Sequence, residues 1–315
     1  MNTASLPNPR TQPLDLGAAG LLPPAWVCDL IGDSASPRPL NVGGRFSAHL
    51  TQSRAFSLVT VRVPEAVALD AAEFQQRTAE AYQLINRTLA DSPTPNPVRL
   101  WNHVPEIGRP LGDGTDRYMV FNAGRFAAFS NWYGSPDAFD RRLATATGVG
   151  HHGTDLVIHC LASDRPGDAV ANPRQIAPYR YSRRYGPQPP CFARATVIRP
   201  APDRPPLILV GGTASVRGED SKHAGDVQRQ TLETFQNLLT LLHAAAGGML
   251  REQPSPPPGL YQFRHLRAYY VNQNDARTIA NLILDSFSSL QHLELVHADV
   301  CRPELLVEIE GIAVA

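Results

Sequence analysis

The chain has 315 residues, with 29 basic and 29 acidic side chains, zero formal net charge and 18% charged residues. That length accommodates one large domain or two of ordinary size, each with ample core, and the neutral balance leaves no electrostatic footprint for nucleic acid or an anionic membrane. No apolar run approaches the roughly 18 residues a membrane span needs.

The opening stretch MNTASLPNPRTQPLDLG lacks the basic head and apolar core of a secretory signal. Cys28, Cys160, Cys191 and Cys301 are scattered, without CxxC or Cys/His clustering. This argues against a zinc site or a disulfide framework and predicts a cytoplasmic protein.

Residues 1–45 are rich in Pro, Gly and small side chains and read as an irregular arm. AFSLVTVRVP then reads as a strand, DAAEFQQRTAEAYQLINRTLA as an amphipathic helix and VRLWNHVPEI as a strand. RYMVFNAGRFAAFSNWY reads as a helix and TDLVIHCLA as a buried strand. In NPRQIAPYRYSRRYGPQPP repeated Pro forbids a long helix. CFARATVIRP and PLILVGGTAS are strands, DVQRQTLETFQNLLTLLHAAA a helix, and QPSPPPG a breaker. FRHLRAYYVN, LELVHADV and LLVEIEGIAV are strands, with the helix DARTIANLILDSF between the first two. The expected fold class is α/β (α+β). The expected units are an arm over 1–45, a lobe over 46–163, a Pro/Arg/Tyr-rich connector over 164–190 and a second lobe over 191–315.

The element order repeats, and so do residues. Gln75, Thr78, Glu80, Tyr82 and Gln83 recur 153 positions later as Gln228, Thr231, Glu233, Phe235 and Gln236. GHHGTDLVIHCLA lies over CRPELLVEIEGIA, which puts Val157 opposite Glu308 and Gly150 opposite Cys301. Glu308 and Glu310 share one face of an apolar strand. An ionised carboxylate buried without a partner costs several kcal/mol, so such a group is exposed, paired, or protonated and working. A carboxylate demanded by the fold would appear in both lobes. On the residues alone, a working acid and a carboxylate paired with an arginine such as Arg302 remain equally open.

DVQRQTLETFQNLLTLL, RHLRAYYVN and the closing CRPELLVEIEGIAV resemble the RidA/YjgF superfamily, small α/β lobes that pack as trimers with clefts between neighbours. From about residue 45 to 315 the chain resembles the chorismatase family, which joins two such chorismate-mutase-like lobes. The blocks that carry this are RYMVFNAGRFAAFSNWYG, TGVGHHGTDLVIHCLA, NPRQIAPYRYSRRYGPQPPCFARAT and GGTASVRGEDSKH. The resemblance implies a pseudo-trimer-like core, no cofactor, and removal of pyruvate from chorismate to give a dihydroxycyclohexadienoate, 3-hydroxybenzoate, or a mixture of 3- and 4-hydroxybenzoate.

It also implies roles. Glu308 matches the catalytic glutamate, the acid that protonates the enolpyruvyl methylene. Cys301 stands where the benzoate-forming subtypes carry cysteine. Ala214 stands where the strict 3-hydroxybenzoate enzymes carry glycine, so the Ala/Cys pair points to the mixed 3- and 4-hydroxybenzoate subtype. Tyr118 and Arg125, seven residues apart on one helical face, and Tyr185 match substrate-contacting positions. Arg174 and Arg180 are candidates for the second carboxylate, because Arg is the favoured fork for a carboxylate. Glu310 is expected to be structural. Arg217 and Glu219 either line the cleft or cap the next helix. His151 and His152 are adjacent, point apart and have no ligand set beside them, so no metal is expected and they read as loop. VGGTAS has too few glycines for a dinucleotide fingerprint.

The expected partner is chorismate, with neither nucleic acid nor membrane, in a monomer or homo-oligomer. A RidA-type imine deaminase and a non-catalytic aromatic-acid sensor are the alternatives.

Overall fold

A computed structural model of the chain describes residues 10–15, 21–32, 35–201, 203–247 and 263–314. The breaker at 253–259 lies outside the described residues, as do residues 1–9 and 16–20 of the arm.

The first lobe runs β1 (Ser47–Gln52), β2 (Phe56–Val63), α1 (Ala71–Ala90), β3 (Asn96–Pro105), α2 (Arg117–Tyr133), β4 (Thr145–His151) and β5 (Leu156–Ser163). The second runs β6 (Ala195–Ile198), β7 (Leu207–Ala214), α3 (Val227–Ala245), β8 (Phe263–Tyr270), α4 (Ala276–Ser286), β9 (His292–His297) and β10 (Val307–Val314). Their sheets have one order: β1-β2-β5-β3-β4 and β6-β7-β10-β8-β9. In each, only the last pair is parallel, β3 with β4 and β8 with β9, as a helical crossover requires. The repeat in the residues is therefore a repeat in topology.

Local chemistry sets the element ends. The carboxylates of Asp70, Asp116 and Asp226 accept backbone N–H bonds of 2.9, 2.8 and 2.9 Å at the starts of α1, α2 and α3. Gly134, at φ 84°, ends α2 in a conformation that a side chain would resist. The repeated threonines behave alike, Thr78 and Thr231 each bonding the carbonyl four residues back at 2.8 Å.

Period-two alternation then divides each strand between two faces. In β5, Ile158, Cys160 and Ala162 pack with Phe74, Tyr82 and Phe121 under the helices. In β10, Val307, Ile309 and Ala313 do the same with Phe235, Leu238 and Ile279. The opposite faces of the two sheets meet each other. Trp101 and Leu161 of the first lobe pack there with Leu209 and Ile312 of the second, beside Trp26 of the arm.

Three elements differ from the expectations. β1 and β4 are strands the periodicity did not reveal. β4 carries Thr and Gly in TATGVGH, and its outer edge is bridged by Ala193 and Val300. His151 closes β4 instead of lying in a loop: its Nδ1 accepts from Gly153 N–H and its Nε2–H donates to the Asp155 carbonyl, each at 3.0 Å. The arm is not irregular throughout. Arg10–Asp15 adds a parallel strand to β9, Trp26–Ile31 is a short helix, and Arg38–Leu40 pairs with β1, so the arm straps both lobes. Within the connector, Asp168–Val170 already pairs with β6 of the second sheet.

Candidate active site

Trp26 fills one end of the space between the sheets. At the other end, between the lobes, lies a cavity of about 310 Å³. Its walls come from α2, β4, the connector, β7 and the segment 301–305 that leads into β10.

Glu308 stands on the wall formed by β10. That strand is central in its sheet, paired with β7 through Ala214 and with β8 through Tyr269, and the residue is only 5% exposed. The glycine pair of VGGTAS explains how the side chain fits. The β7 register shifts between Val210 and Thr213, and the Glu308 carboxyl lies directly over Gly212, where an added Cβ would come within 1.8 Å of Oε1. Gly212 N–H is taken by Thr147 Oγ1 at 3.0 Å, so it does not serve the carboxylate. Among the described residues no hydrogen bond reaches Glu308. Burial, and after it the charge of Glu310, pushes its carboxyl up to about 8, against the opposing pull of Arg99, Arg194 and Arg302. At neutral pH this acid keeps its proton.

Glu310, two residues on, is the contrast. It is 1% exposed and ion-paired with Arg99, and it also accepts from Trp101 Nε1 and Tyr269 Oη at 3.0 Å each and from the Thr147 hydroxyl. Three of its four donors join β10 to β3 and β4 of the other lobe.

The cavity is rich in uncompensated positive charge. Arg125 (1% exposed), Arg194 (6%) and Arg302 (8%) all line it, and none has a carboxylate partner among the described residues. Arg125 bonds Asn122 Oδ1 at 2.7 Å and lies over Phe121. Arg194 bonds Tyr181 Oη at 2.6 Å. The Nε–H groups of Arg125 and Arg194 are buried without an acceptor. Arg302 bonds the Glu219 carbonyl at 2.7 Å and stacks 3.9 Å above the Tyr185 ring. Buried cations held only by neutral groups fit an anionic guest.

Tyr118 lies against Gly148, whose missing Cβ would sit 3.2 Å from the ring. Burial pushes its phenol up, so it stays a neutral O–H donor. Cys301 also stays protonated: burial, and then the Glu308 charge, pushes its thiol up to about 12.

The structure thus brings Glu308, Cys301, Ala214, Tyr118, Arg125 and Tyr185 to one cavity. It does not bring Arg174 or Arg180 there. Arg174 is engaged by Glu233 and, at 2.8 Å, by Asn237, while Arg180 is 66% exposed and pairs with Asp140 at 3.0 Å. Arg217 also pairs with Glu233. Glu219 neither lines the cavity nor caps a helix. Its carboxylate takes the Ser182 N–H and hydroxyl at 2.8 Å each, pinning the connector. Arg194 and Gly212 were overlooked in the sequence. The signal for Arg194 was an arginine flanked by apolar residues, Ala193 and Ala195 in CFARATVI, as Arg99 is flanked by Val98 and Leu100 in its strand. Among the described residues no group of three His, Cys, Asp or Glu side chains could hold a metal ion, and no helix is long and apolar enough to cross a membrane.

A family model described as chorismatase FkbO/Hyg5-like, N-terminal, matches residues 35–162. A 3-hydroxybenzoate synthase of Streptomyces hygroscopicus is 31% identical over 76% of this chain and 69% of its own length. A chorismatase of Streptomyces rapamycinicus is 31% identical over 80% of this chain and 72% of its own. A crystal structure of a chorismatase superposes with a TM-score of 0.74 and 26% identity, covering 88% of this chain and 80% of the other.

Proposed function

The chain belongs to the chorismatase family, and from that premise we propose that it cleaves chorismate into pyruvate and a hydroxybenzoate, with Glu308 as the proton donor. One observation carries the assignment of the donor. Among the described residues, the acid that β10 presents to the cavity is buried, receives no hydrogen bond, keeps its proton at neutral pH and faces Arg125, Arg194 and Arg302, which have no carboxylate partner there.

Chorismate carries two carboxylates, and Arg125, Arg194 and Arg302 supply the charge to hold both. Glu308 gives its proton to the terminal methylene of the enolpyruvyl group, turning the enol ether into an oxocarbenium ion. Water adds to that ion and returns a proton to the Glu308 carboxylate. The hemiketal then collapses, releasing pyruvate and leaving the C3 oxygen on the ring. Loss of the C4 hydroxyl with the C3 hydrogen, as one water, yields 3-hydroxybenzoate. The competing route breaks the C3–O bond, takes the C4 hydrogen and leaves 4-hydroxybenzoate. General acid catalysis of this kind is worth about 10²–10⁴-fold.

Cys301 and Ala214 line the same cavity as Glu308, and Ala214 is the strand partner of Glu308. With its proton retained, the Cys301 thiol acts as a weak donor beside the ring and not as a nucleophile. This favours a benzoate product over the intact dihydroxycyclohexadienoate, and with Ala214 it favours a mixture of 3- and 4-hydroxybenzoate. The test is incubation with chorismate, followed by chromatography of the aromatic acids and a pyruvate assay. Equimolar pyruvate and hydroxybenzoate support the proposal. Pyruvate with only the dienediol overturns the product assignment, and binding without pyruvate would make the chain a sensor.

A further inference from the structure

Glu308 must reach neutral pH with its proton, although three buried arginines favour its ionised form. Its neighbour on the same face works the other way. Glu310 receives Arg99 Nη2 and the Thr147 hydroxyl on one oxygen and Trp101 Nε1 and Tyr269 Oη on the other. Such charge-assisted and converging bonds fix the carboxylate in place. Three of those four donors belong to the first lobe, which contains no counterpart of Glu308.

We propose that Glu310 is a positioning residue for the reaction: ion-paired with Arg99 and docked by the first lobe, it sets a second carboxylate beside Glu308 on the same strand face and so holds the donor in its proton-bearing form. This rests on the reading of Glu308 as the acid. Residues i and i+2 of a strand stand about 7 Å apart. That is within the screening length of roughly 8 Å at physiological salt, and a buried pair is screened less than an exposed one.

The other groups facing Glu308 do not duplicate this role. β7 contributes Gly212 and Ala214, which carry no charge. β8 contributes Tyr269, whose phenol is raised well above its ordinary value by burial and by Glu310, and which is neutral. α2 contributes Tyr118, also neutral, and Arg125, with the Asp116 carboxylate at its start spent on the Met119 N–H; the segment before β10 contributes the Cys301 thiol, Arg302 and Glu304, and the connector contributes Tyr181, Tyr185 and Arg184, the last paired with Asp220. Arg99, Arg194 and Arg302 all pull toward ionisation. Glu310 is the one anion opposing them that lies beside Glu308 on its own strand. The arrangement also accounts for the lobe contact: docking β3 and β4 onto β10 locks a charge beside the acid.

The experiment is the pH dependence of kcat/KM for chorismate, which reports groups in the free enzyme. In the wild type the activity falls as pH rises through about 8. In E310Q the fall moves to lower pH by about one unit or more, with KM on the acid plateau changed less than about threefold. In R99M/E310Q, with both charges of the pair removed, the fall returns toward the wild-type position. Y269F keeps both charges but removes one donor from Glu310, and it moves the fall upward by about half a unit. A merely structural Glu310 would lower the plateau and the melting temperature without moving the fall. An unmoved fall in folded E310Q, a double variant shifted as far as the single, or a Y269F fall that is unmoved or moves down would overturn the proposal. If E308Q keeps full turnover, the reading of Glu308 fails instead, so the two failures are distinct.

Discussion

β5 and β10 are the same strand made twice. Each is central in its sheet, each turns Ile, Ala or Val toward its helices, and each presents three residues to the other lobe. On β5 these are Val157, His159 and Leu161; on β10 they are Glu308, Glu310 and Ile312. Leu161 and Ile312 meet in one apolar cluster. The first two positions diverge. His159 is neutral, with its Nε2–H on the Leu21 carbonyl at 2.6 Å and its Nδ1 accepting from Thr60 at 2.9 Å. Glu310 is ion-paired with Arg99 and ligated by four donors in all. Val157 fills its position with hydrocarbon, while Glu308 lies over a glycine in a cavity. The fold asks for neither carboxylate, because one copy stands without them. What they add is chemistry, and the unchanged copy supplies the surroundings.

The comparison is broken most sharply at Glu308. E308Q should lose about 10²–10⁴-fold in kcat with KM within a few fold, whereas V157T at the matching site should leave both constants near wild type. Steady-state kinetics and isothermal titration with chorismate check this. G212A comes next. Its methyl would displace the carboxyl by about an ångström or more, and a misplacement of that size costs on the order of 10²-fold in kcat. In the first lobe Val61 of β2 packs in the helix-side core, and V61A should lower the melting temperature while sparing kcat.

R194M or R302M should raise KM about 10- to 100-fold, because one substrate carboxylate is left without its cation. The buried Arg117 of the first lobe bonds the carbonyls of Ala66 and Val67 at 3.0 Å. R117M should destabilise the fold with little change in KM.

A further effect is on stability, and its sign differs between the lobes. Burial raises the Glu308 carboxyl from its ordinary 4.5 to about 8. Between those values the native state holds a proton that the unfolded state has lost. Stability therefore falls as pH rises through that window, by about 3 kcal/mol at pH 7, and is relieved in E308Q. Burial lowers His159 from 6.5 to about 4, and lowers the adjoining His103 as well. There the unfolded state binds the proton first, so stability falls as pH drops below 6.5 toward 4. Urea titrations of wild type, E308Q and H159Q across pH 4–9 should show E308Q flattening the alkaline side and H159Q the acid side. A wild-type profile that is flat from pH 5 to 8 would sink this assignment of buried charge.

Much of this was legible before any coordinates. Near-continuous apolar runs in AFSLVTVRVP, TDLVIHCLA and LLVEIEGIAV mark strands buried on both faces, and Asp before each of three long helices marks their starts. The duplicated glutamines and threonines mark the repeat, because positions 153 apart do not match by local propensity. β4 was illegible because TATGVGH has no period. It is a strand because β3 offers it a partner and Ala193 and Val300 cover its edge. The second carboxylate clamp was sought in the connector, where Arg is dense. Density proved a poor guide: Arg174 and Arg180 are spent on Glu233 and Asp140, while the sparser Arg194 and Arg302 face the cavity.

The residues themselves determine that Glu308 and Glu310 point the same way, since alternation along a strand is a local rule, and that the lobes repeat, since the matching positions are written in the chain. They cannot determine that one carboxylate is ion-paired and the other left without a partner and protonated. That outcome depends on which donors and which empty space arrive from strands far away in the sequence. Arg99, Trp101 and Thr147 reach Glu310, while a glycine and a cavity are left for Glu308. Acidity is a property of surroundings, and only the packing of one sheet on the other supplies them.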